Sequence, residues 1–385
     1  MSRSITVAGV LAPLALAAHA VVASTVAQAD PVPPDLMGPA VPAIADINGD
    51  GVPDVVFSDY LLGGGVSVFL GKPGGGLRPA VHYATGGQAD YVAIADFDHD
   101  GTLDLAVTNF ASSDVSILLG HGDGTFAAAV DYATDFAPGA LVAADFDHDG
   151  NLDIATSNQA PSWSLLRGRG DGTFQPAVTI STAGGVGSGS ADVADFDGDG
   201  NLDLLRGNYV NSTIQIYRGH GDGTFDAPVT FDSGAATAWY GMARDVDGDG
   251  TPDILFSNLV NGTVSVLSNR GDGTFSPAVA YPTGGLLPQC FDVADVDGDG
   301  KPDLVVANGG TSNIAVLHGH GDGTFDPPAA VYPSGGLVPL STPALADFNG
   351  DGKLDVVIGN TLTGNITLRD GNGDGTFGPA TDYPA

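Results

Sequence analysis

Apolar residues along this chain fall into short β-branched runs, Leu103 to Thr108 and Leu354 to Ile358 among them, each entered from a Gly- and Asp-rich stretch. Runs of this length with such boundaries predict strands rather than helices. One stretch shows a whole unit. A strand over Tyr91 to Phe97 is followed by an acidic loop, a strand over Asp104 to Thr108, a polar loop over Asn109 to Asp114 and a strand over Val115 to Leu119. A Gly-rich turn over Gly120 to Gly124 then leads into a fourth strand, Thr125 to Tyr132. Four short antiparallel strands joined by tight turns make one blade of a β-propeller.

The acidic loop is a nine-residue phrase that starts at Asp46, Asp96, Asp145, Asp195, Asp245, Asp295 and Asp347, at intervals of 50, 49, 50, 50, 50 and 52 residues. A fixed period of that length signals a repeat architecture. From Asp30 onward the repeats account for essentially the whole chain, so the expectation for residues 30–385 is an all-β, seven-bladed β-propeller of four-stranded antiparallel blades. The turn between the third and fourth strands is nearly as regular. His121 to Phe126 recurs as Arg169 to Phe174, His220 to Phe225, Arg270 to Phe275, His320 to Phe325 and Asn372 to Phe377. Asp-Gly favours a hairpin, and the Phe that follows is expected to pack between blades. The first repeat departs, with Gly71-Lys72-Pro73-Gly74-Gly75-Gly76-Leu77, and reads as an edge-adapted terminal blade. Arg-Gly-Asp appears at 169–171 and 270–272, where Arg fills the place that His takes in three other copies; this favours a structural reading over receptor recognition.

The phrase has the chemistry of a hard-cation loop. Position 1 is Asp46, Asp96, Asp145, Asp195, Asp245, Asp295 or Asp347, and position 3 is Asn48, Asp98, Asp147, Asp197, Asp247, Asp297 or Asn349. Position 5 is Asp50, Asp100, Asp149, Asp199, Asp249, Asp299 or Asp351, and position 9 is Asp54, Asp104, Asp153, Asp203, Asp253, Asp303 or Asp355. Clustered carboxylates repel unless a cation holds them, and Ca2+ accepts about 6 to 8 oxygen ligands in an adaptable geometry, which Mg2+ does not. Up to seven Ca2+ ions are therefore expected, one per blade. Glycine at position 6 lets the backbone turn sharply. An EF-hand begins the same way but needs Glu at position 12, where this chain has Phe57, Val107, Thr156, Arg206, Phe256, Val306 or Ile358.

Composition sharpens this. All 46 acidic residues are Asp, 26 of them at the four loop positions, and the short carboxylate suits tight loops. A formal charge of −34 opposes compaction; seven Ca2+ ions would bring it to about −20. Only 12 Lys and Arg argue against nucleic acid, whose affinity comes from cations meeting phosphates, and against anionic membranes. Residues 1–29 look like an export signal: Arg3, the apolar run Ile5 to Ala18, and Ala27-Gln28-Ala29 before Asp30. A secreted or periplasmic monomer is expected. Cys290 is the only cysteine, so metal takes the place of disulfides, and it reads as a buried small hydrophobe.

The phrase, the apolar strand behind it and the later Gly-Asp-Gly-Thr-Phe together resemble the FG-GAP/VCBS repeat family over the whole chain after the signal. The resemblance implies a seven-bladed propeller like the head of integrin α subunits and certain fungal lectins, with calcium between the first two strands of each blade. Integrin heads load only some blades and continue into stalk and membrane segments, whereas all seven loops qualify here, so the chain is not an integrin.

A partner is expected on the face opposite the calcium loops. There each blade places Asp59, Asn109, Asn158, Asn208, Asn258, Asn308 or Asn360 at the start of its second loop, either capping the turn or forming a hydrogen-bonding ring. Tyr60, Phe110, Trp163, Tyr209, Trp239 and Tyr240 beside that ring either pack within the blades or offer stacking for sugars or grips for a peptide. The leading expectation is a recognition or adhesion module for a glycan or protein. The alternative is a secreted hydrolase or lyase with its site in the funnel, against which stand the absence of a nucleophile motif, of a metal-spaced His pair and of paired acids outside the calcium loops.

Overall fold

The structure, a computed structural model, describes residues 39–59, 64–182, 190–208, 211–234, 236–328, 330–337, 339 and 341–384, so the expected signal segment lies outside them. The described strands form seven four-stranded antiparallel sheets, each made of four consecutive strands. Blade 1 holds β1 (Pro39–Ala45), β2 (Asp54–Asp59), β3 (Val66–Phe69) and β4 (Val81–Tyr83). Blade 2 holds β5 (Ala89–Ala95), β6 (Asp104–Asn109), β7 (Asp114–Leu118) and β8 (Val130–Ala133). The chain is the expected seven-bladed β-propeller. No helix is formed among the described residues.

Two boundaries differ from the sequence-based reading. β5 lies two residues earlier, because Asp96 and Phe97 belong to the acidic loop. The outer strand β8 is short: before it, the hairpin makes only a single bridge between Gly120 and Phe126, and the chain then runs unpaired to Val130.

First strands of successive blades meet around the ring and line a central channel, while fourth strands form the rim with their side chains largely in solvent. Second strands are buried at every residue. Such a strand has no solvent-facing side, because each blade is sandwiched between two others. In β6, Leu105 and Val107 pack with Val56, Val66 and Val68 of blade 1, whereas Ala106 packs with Leu141 and Ile154 of blade 3. Successive residues thus serve opposite seams, which is why the run reads as continuously apolar.

The hairpin Phe closes six of the seven seams, as expected. Phe174 of blade 3 meets the edges of Phe97 and Tyr132 of blade 2 at 5.7 and 5.5 Å, and Phe225 meets Phe146 at 5.6 Å. Blade 1 is not an edge-adapted blade. Its Leu77 occupies the place of the Phe, is 1% exposed, and packs with Phe348 and Tyr383 of blade 7. The Gly71–Leu77 bridge repeats that of Gly120–Phe126, so the glycine-rich departure alters the turn and leaves the seam intact. The ring closes through side-chain packing, without exchange of a strand between the first and last blades. Leu77→Ala is expected to destabilise the fold by about 2–5 kcal/mol, as for a fully buried Leu; urea unfolding that shows almost no loss would mean blade 1 does not seal against blade 7.

Candidate functional site

The acidic loops are built by their own carboxylates. The position-9 Asp is the first residue of each second strand and is essentially inaccessible to solvent. Its Oδ2 accepts the N–H of position 2, at 2.8 Å from Phe97 to Asp104 and 3.0 Å from Phe196 to Asp203. Its Oδ1 accepts the N–H at the end of the third strand, at 2.8 Å from Gly120 to Asp104 and 2.9 Å from Gly219 to Asp203. All seven blades repeat both bonds. Burial pushes the carboxyls of Asp153, Asp203 and Asp253 up to about 6, against the lowering effect of those N–H donors. At position 1, Oδ2 accepts the N–H of the position-6 glycine in every blade, as from Gly200 to Asp195 at 2.9 Å. Position 5 is exposed, and its Oδ1 accepts the N–H of position 7, as from Asn201 to Asp199 at 2.8 Å.

Position 4 also adopts a left-handed backbone. It is Gly49, Gly198, Gly248, Gly298 or Gly350 in five blades and His99 or His148, at φ of 59° and 57°, in the other two. Each His is held from the neighbouring loop: Nε2 of His99 lies 3.2 Å from Asn151 Oδ1, and Nε2 of His148 lies 3.2 Å from Asn201 Oδ1.

Carboxylate oxygens of positions 1, 3 and 9 converge to within 4.8 Å of one another in Asp96, Asp98 and Asp104, in Asp145, Asp147 and Asp153, and in Asp245, Asp247 and Asp253. In blade 4 the group is Asp195, Asp197 and Asp199; in blade 6, Asp297 and Asp303 converge with His318. Asp96 Oδ1, Asp147 Oδ1 and Asp197 Oδ1 are buried with no hydrogen-bond donor. A buried anionic oxygen without a partner is costly. An all-oxygen donor set with such orphans fits a hard divalent cation.

Sequence reasoning missed the side chain above each loop, the residue preceding the bridge at the end of the third strand. It is Leu70, Leu119, Arg167, Arg218, Ser268, His318 or Asp370 from blade 1 to blade 7. Arg167 Nη1 lies 3.3 Å from Asp147 Oδ2 and Arg218 Nη1 lies 3.2 Å from Asp197 Oδ2, so two loops carry a tethered counter-charge. No motif marks this position, because its residue type changes from blade to blade.

On the opposite face the seven residues take the turn-capping alternative and leave no ring open to a ligand. Asp59, Asn109, Asn158, Asn208, Asn258, Asn308 and Asn360 are all buried and serve the turns. Asn109 Nδ2 donates to Asp114 Oδ1 at 2.7 Å and to Ser116 Oγ at 2.8 Å, while its Oδ1 accepts from Thr85 Oγ1. Trp163 is fully buried in the seam between blades 3 and 4 and is no stacking platform. Tyr240 packs edge-on to Phe291 with centroids 5.3 Å apart. Phe110 and Trp239 are half-buried, and Tyr60 and Tyr209 lie outside the described residues. Arg169 and Arg270 donate to the carbonyls of Phe174 and Phe275 within their own turns, in line with the structural reading of both Arg-Gly-Asp stretches.

Asp90, Asp192 and Asp292 stand on first strands around the channel. Asp192 Oδ2 accepts the N–H of Ala243 at 2.8 Å and lies 3.6 Å from Arg244 Nη1. Although part of Asp90 and Asp292 opens to the channel, protein surrounds them, and desolvation pushes their carboxyls up to about 7 and about 6. Buried Cys290 on the same inner ring is pushed up to about 12, in keeping with an inert thiol.

Between the rims of blades 2 and 3 lies a cavity of about 680 Å³, lined among others by Asp131, Tyr132, Asp135, Arg169 and Phe174.

A model of the FG-GAP-like repeat family matches residues 46–107, 96–156, 147–206, 207–256, 245–306, 295–358 and 347–385. Among curated protein sequences, none matches the chain. Among solved structures the chain resembles an Agrocybe aegerita lectin described as recognising non-reducing terminal N-acetylglucosamine, with TM-score 0.56 and 21% identity over 89% of this chain and 94% of that one. It also resembles the periplasmic gluconolactonase PpgL of Pseudomonas aeruginosa, with TM-score 0.60 and 14% identity over 91% and 95%, and a Lactobacillus plantarum protein, with TM-score 0.61 and 13% identity over 86% and 96%. At these identities the likeness is one of fold.

The double acceptor role of position 9 has a direct consequence. Asp203→Asn would turn an amide N–H2 toward a backbone N–H, and is expected to cost about 2–4 kcal/mol from one lost charge-assisted bond and one unsatisfied donor. Denaturant unfolding in chelator checks this; an unchanged midpoint would mean that the residue does not clamp the loop to the third strand.

Proposed function

The chain belongs to the FG-GAP-like repeat family, and from that premise we propose that it is an exported recognition module in which Ca2+ in the acidic loops stiffens the ring and the rim groove between blades 2 and 3 takes a glycan. The observation that carries the reading is the groove. Its volume of about 680 Å³ is that of an open groove rather than an enclosed pocket, a shape that suits an extended saccharide. Sugar hydroxyls donate and accept at once, so they pair with Asp131 and Asp135 as acceptors and with Arg169 as donor, while Tyr132 supplies an aromatic surface. This moves the proposed contact from the face opposite the loops, where the polar ring is buried, to the rim. The lectin among the fold neighbours is in keeping with it.

Calcium is supported by the converging oxygens and the orphaned carboxylate atoms of the loops. A second reading, a hydrolase or lyase in the channel, is favoured by the raised carboxyls of Asp90 and Asp292 and by Arg244, which lies beside Asp192. A lactone-opening activity that disappears in Asp292→Asn with the fold intact would establish it.

Two outcomes are expected. On a glycan array the protein binds a saccharide, and Arg169→Ala weakens that binding by about tenfold or more, the loss of one charge-assisted hydrogen bond; an empty array sinks the glycan reading. Without calcium, the raised carboxyls of Asp153, Asp203, Asp253, Asp292 and Asp90 mean that the folded chain binds protons more readily than the unfolded one. Their contribution is fully present below about pH 4 and is lost as pH rises through about 6 to 7. Calcium favours the ionised loop acids and offsets that loss by mass action. Melting temperatures across this pH range with calcium and with chelator check it, and curves that coincide at pH 7 would contradict it.

A further inference from the structure

The seven loops share their carboxylates but differ in the side chain that overhangs them, and in blade 6 that side chain is an imidazole. His318 Nδ1 is buried without a hydrogen-bond partner, although it lies 3.1 Å from Asp297 Oδ2 and 3.6 Å from Asp303 Oδ1. The contacts are close but not aligned for a hydrogen bond. A tetrahedral ion with bonds of about 2.0–2.1 Å sets neighbouring ligand atoms about 3.3 Å apart, which is the spacing these two distances bracket. All three ligand atoms lie within 4.8 Å of one another.

The surroundings of the three groups suit the same use. Asp303 Oδ1 accepts the N–H of Gly319 at 2.9 Å, and Asp297 Oδ1 accepts the N–H of Asp299 at 3.0 Å, so both carboxylates are oriented from behind. Lys301 Nζ donates to Asp299 Oδ2 at 2.9 Å, which ties the position-5 carboxylate down on the exposed side and takes it out of the set. Among the described hairpins, that of blade 7 passes directly over the imidazole: a Cβ on Gly375 would meet the His318 ring, so the side chain is confined between its own loop and the neighbouring turn.

We propose that blade 6 carries a mixed nitrogen and oxygen site, His318 with Asp297 and Asp303, that takes a borderline divalent ion such as Zn2+ in preference to Ca2+. Imidazole suits Zn2+, Co2+ and Ni2+, whereas Ca2+ wants oxygen alone. The other six blades place Leu, Leu, Arg, Arg, Ser or Asp at this position, so one such ion per chain is expected. The inference goes beyond the calcium reading and does not depend on it.

The test is to equilibrate the full chain with Zn2+ in a large excess of Ca2+, remove loose ions by dialysis, and measure metal content by mass spectrometry, with Co2+ as a spectroscopic substitute. The wild type should retain one equivalent of zinc and give a Co2+ absorption band. His318→Leu and His318→Arg introduce residues that blades 2 and 3 already carry at the same place, so both should fold; each should weaken zinc binding by more than about 100-fold, beyond what a change outside the ligand set costs. Asp297→Asn should weaken it as well, with its circular dichroism unchanged. A wild type that holds no zinc against calcium overturns the proposal, and so does a His318→Leu variant that keeps its equivalent. Zinc retained by a protein that takes up no calcium would sink the calcium reading and leave this one standing.

Discussion

The buried position-9 carboxylate is the interaction on which the blade depends. Its two oxygens take one N–H from the acidic loop and one from the end of the third strand, so a single side chain fixes where the loop ends, where the second strand begins and where the hairpin sits. Placing that charge among apolar seams is unfavourable by itself, as the raised carboxyls show. The donors offset part of that cost, and the other loop carboxylates add to it by repulsion.

Blades then lock to one another on the same face. The turn glycine of one blade donates to the position-2 carbonyl of its neighbour, as from Gly223 to Phe146 at 2.9 Å and from Gly375 to Val296 at 3.1 Å. Directly below, the hairpin Phe enters the seam. Loop, hairpin and seam are therefore one mechanical unit. Whatever binds in a loop also acts on the joint between two blades, so a cation there would govern the rigidity of the ring as well as that of its own blade.

Repetition at the level of the fold leaves room for difference at the level of chemistry. The position above each loop varies from Leu to Arg to His while the backbone stays constant, and the rim groove combines the outer strand of blade 2 with the turn of blade 3. Both places tolerate variation because the bonds that hold the sheet there are made by backbone groups and leave the side chains free to differ. Binding specificity has its natural home in such positions.

The period, the strand order, the acidic loops and the Phe of each hairpin were all legible in the sequence, because they are local patterns repeated in register. Position 9 was legible as a carboxylate, and its role as a clamp between two loops was not, since that role depends on a backbone N–H from the far end of the third strand. The same limit explains the one correction and the alternatives that spacing left open. The Asn ring and Trp163 are polar or aromatic by type yet buried by neighbouring chain, and Leu77 is unlike its counterparts in sequence yet fills the same seam. Asp192 meets Arg244 of the next blade only when the ring closes, and His318 meets Asp297 only when the hairpin folds back over the loop. Short-range order was set by residue type and spacing; contacts across seams, around the channel and above the loops were decided by closure, which brings together groups that no linear pattern relates.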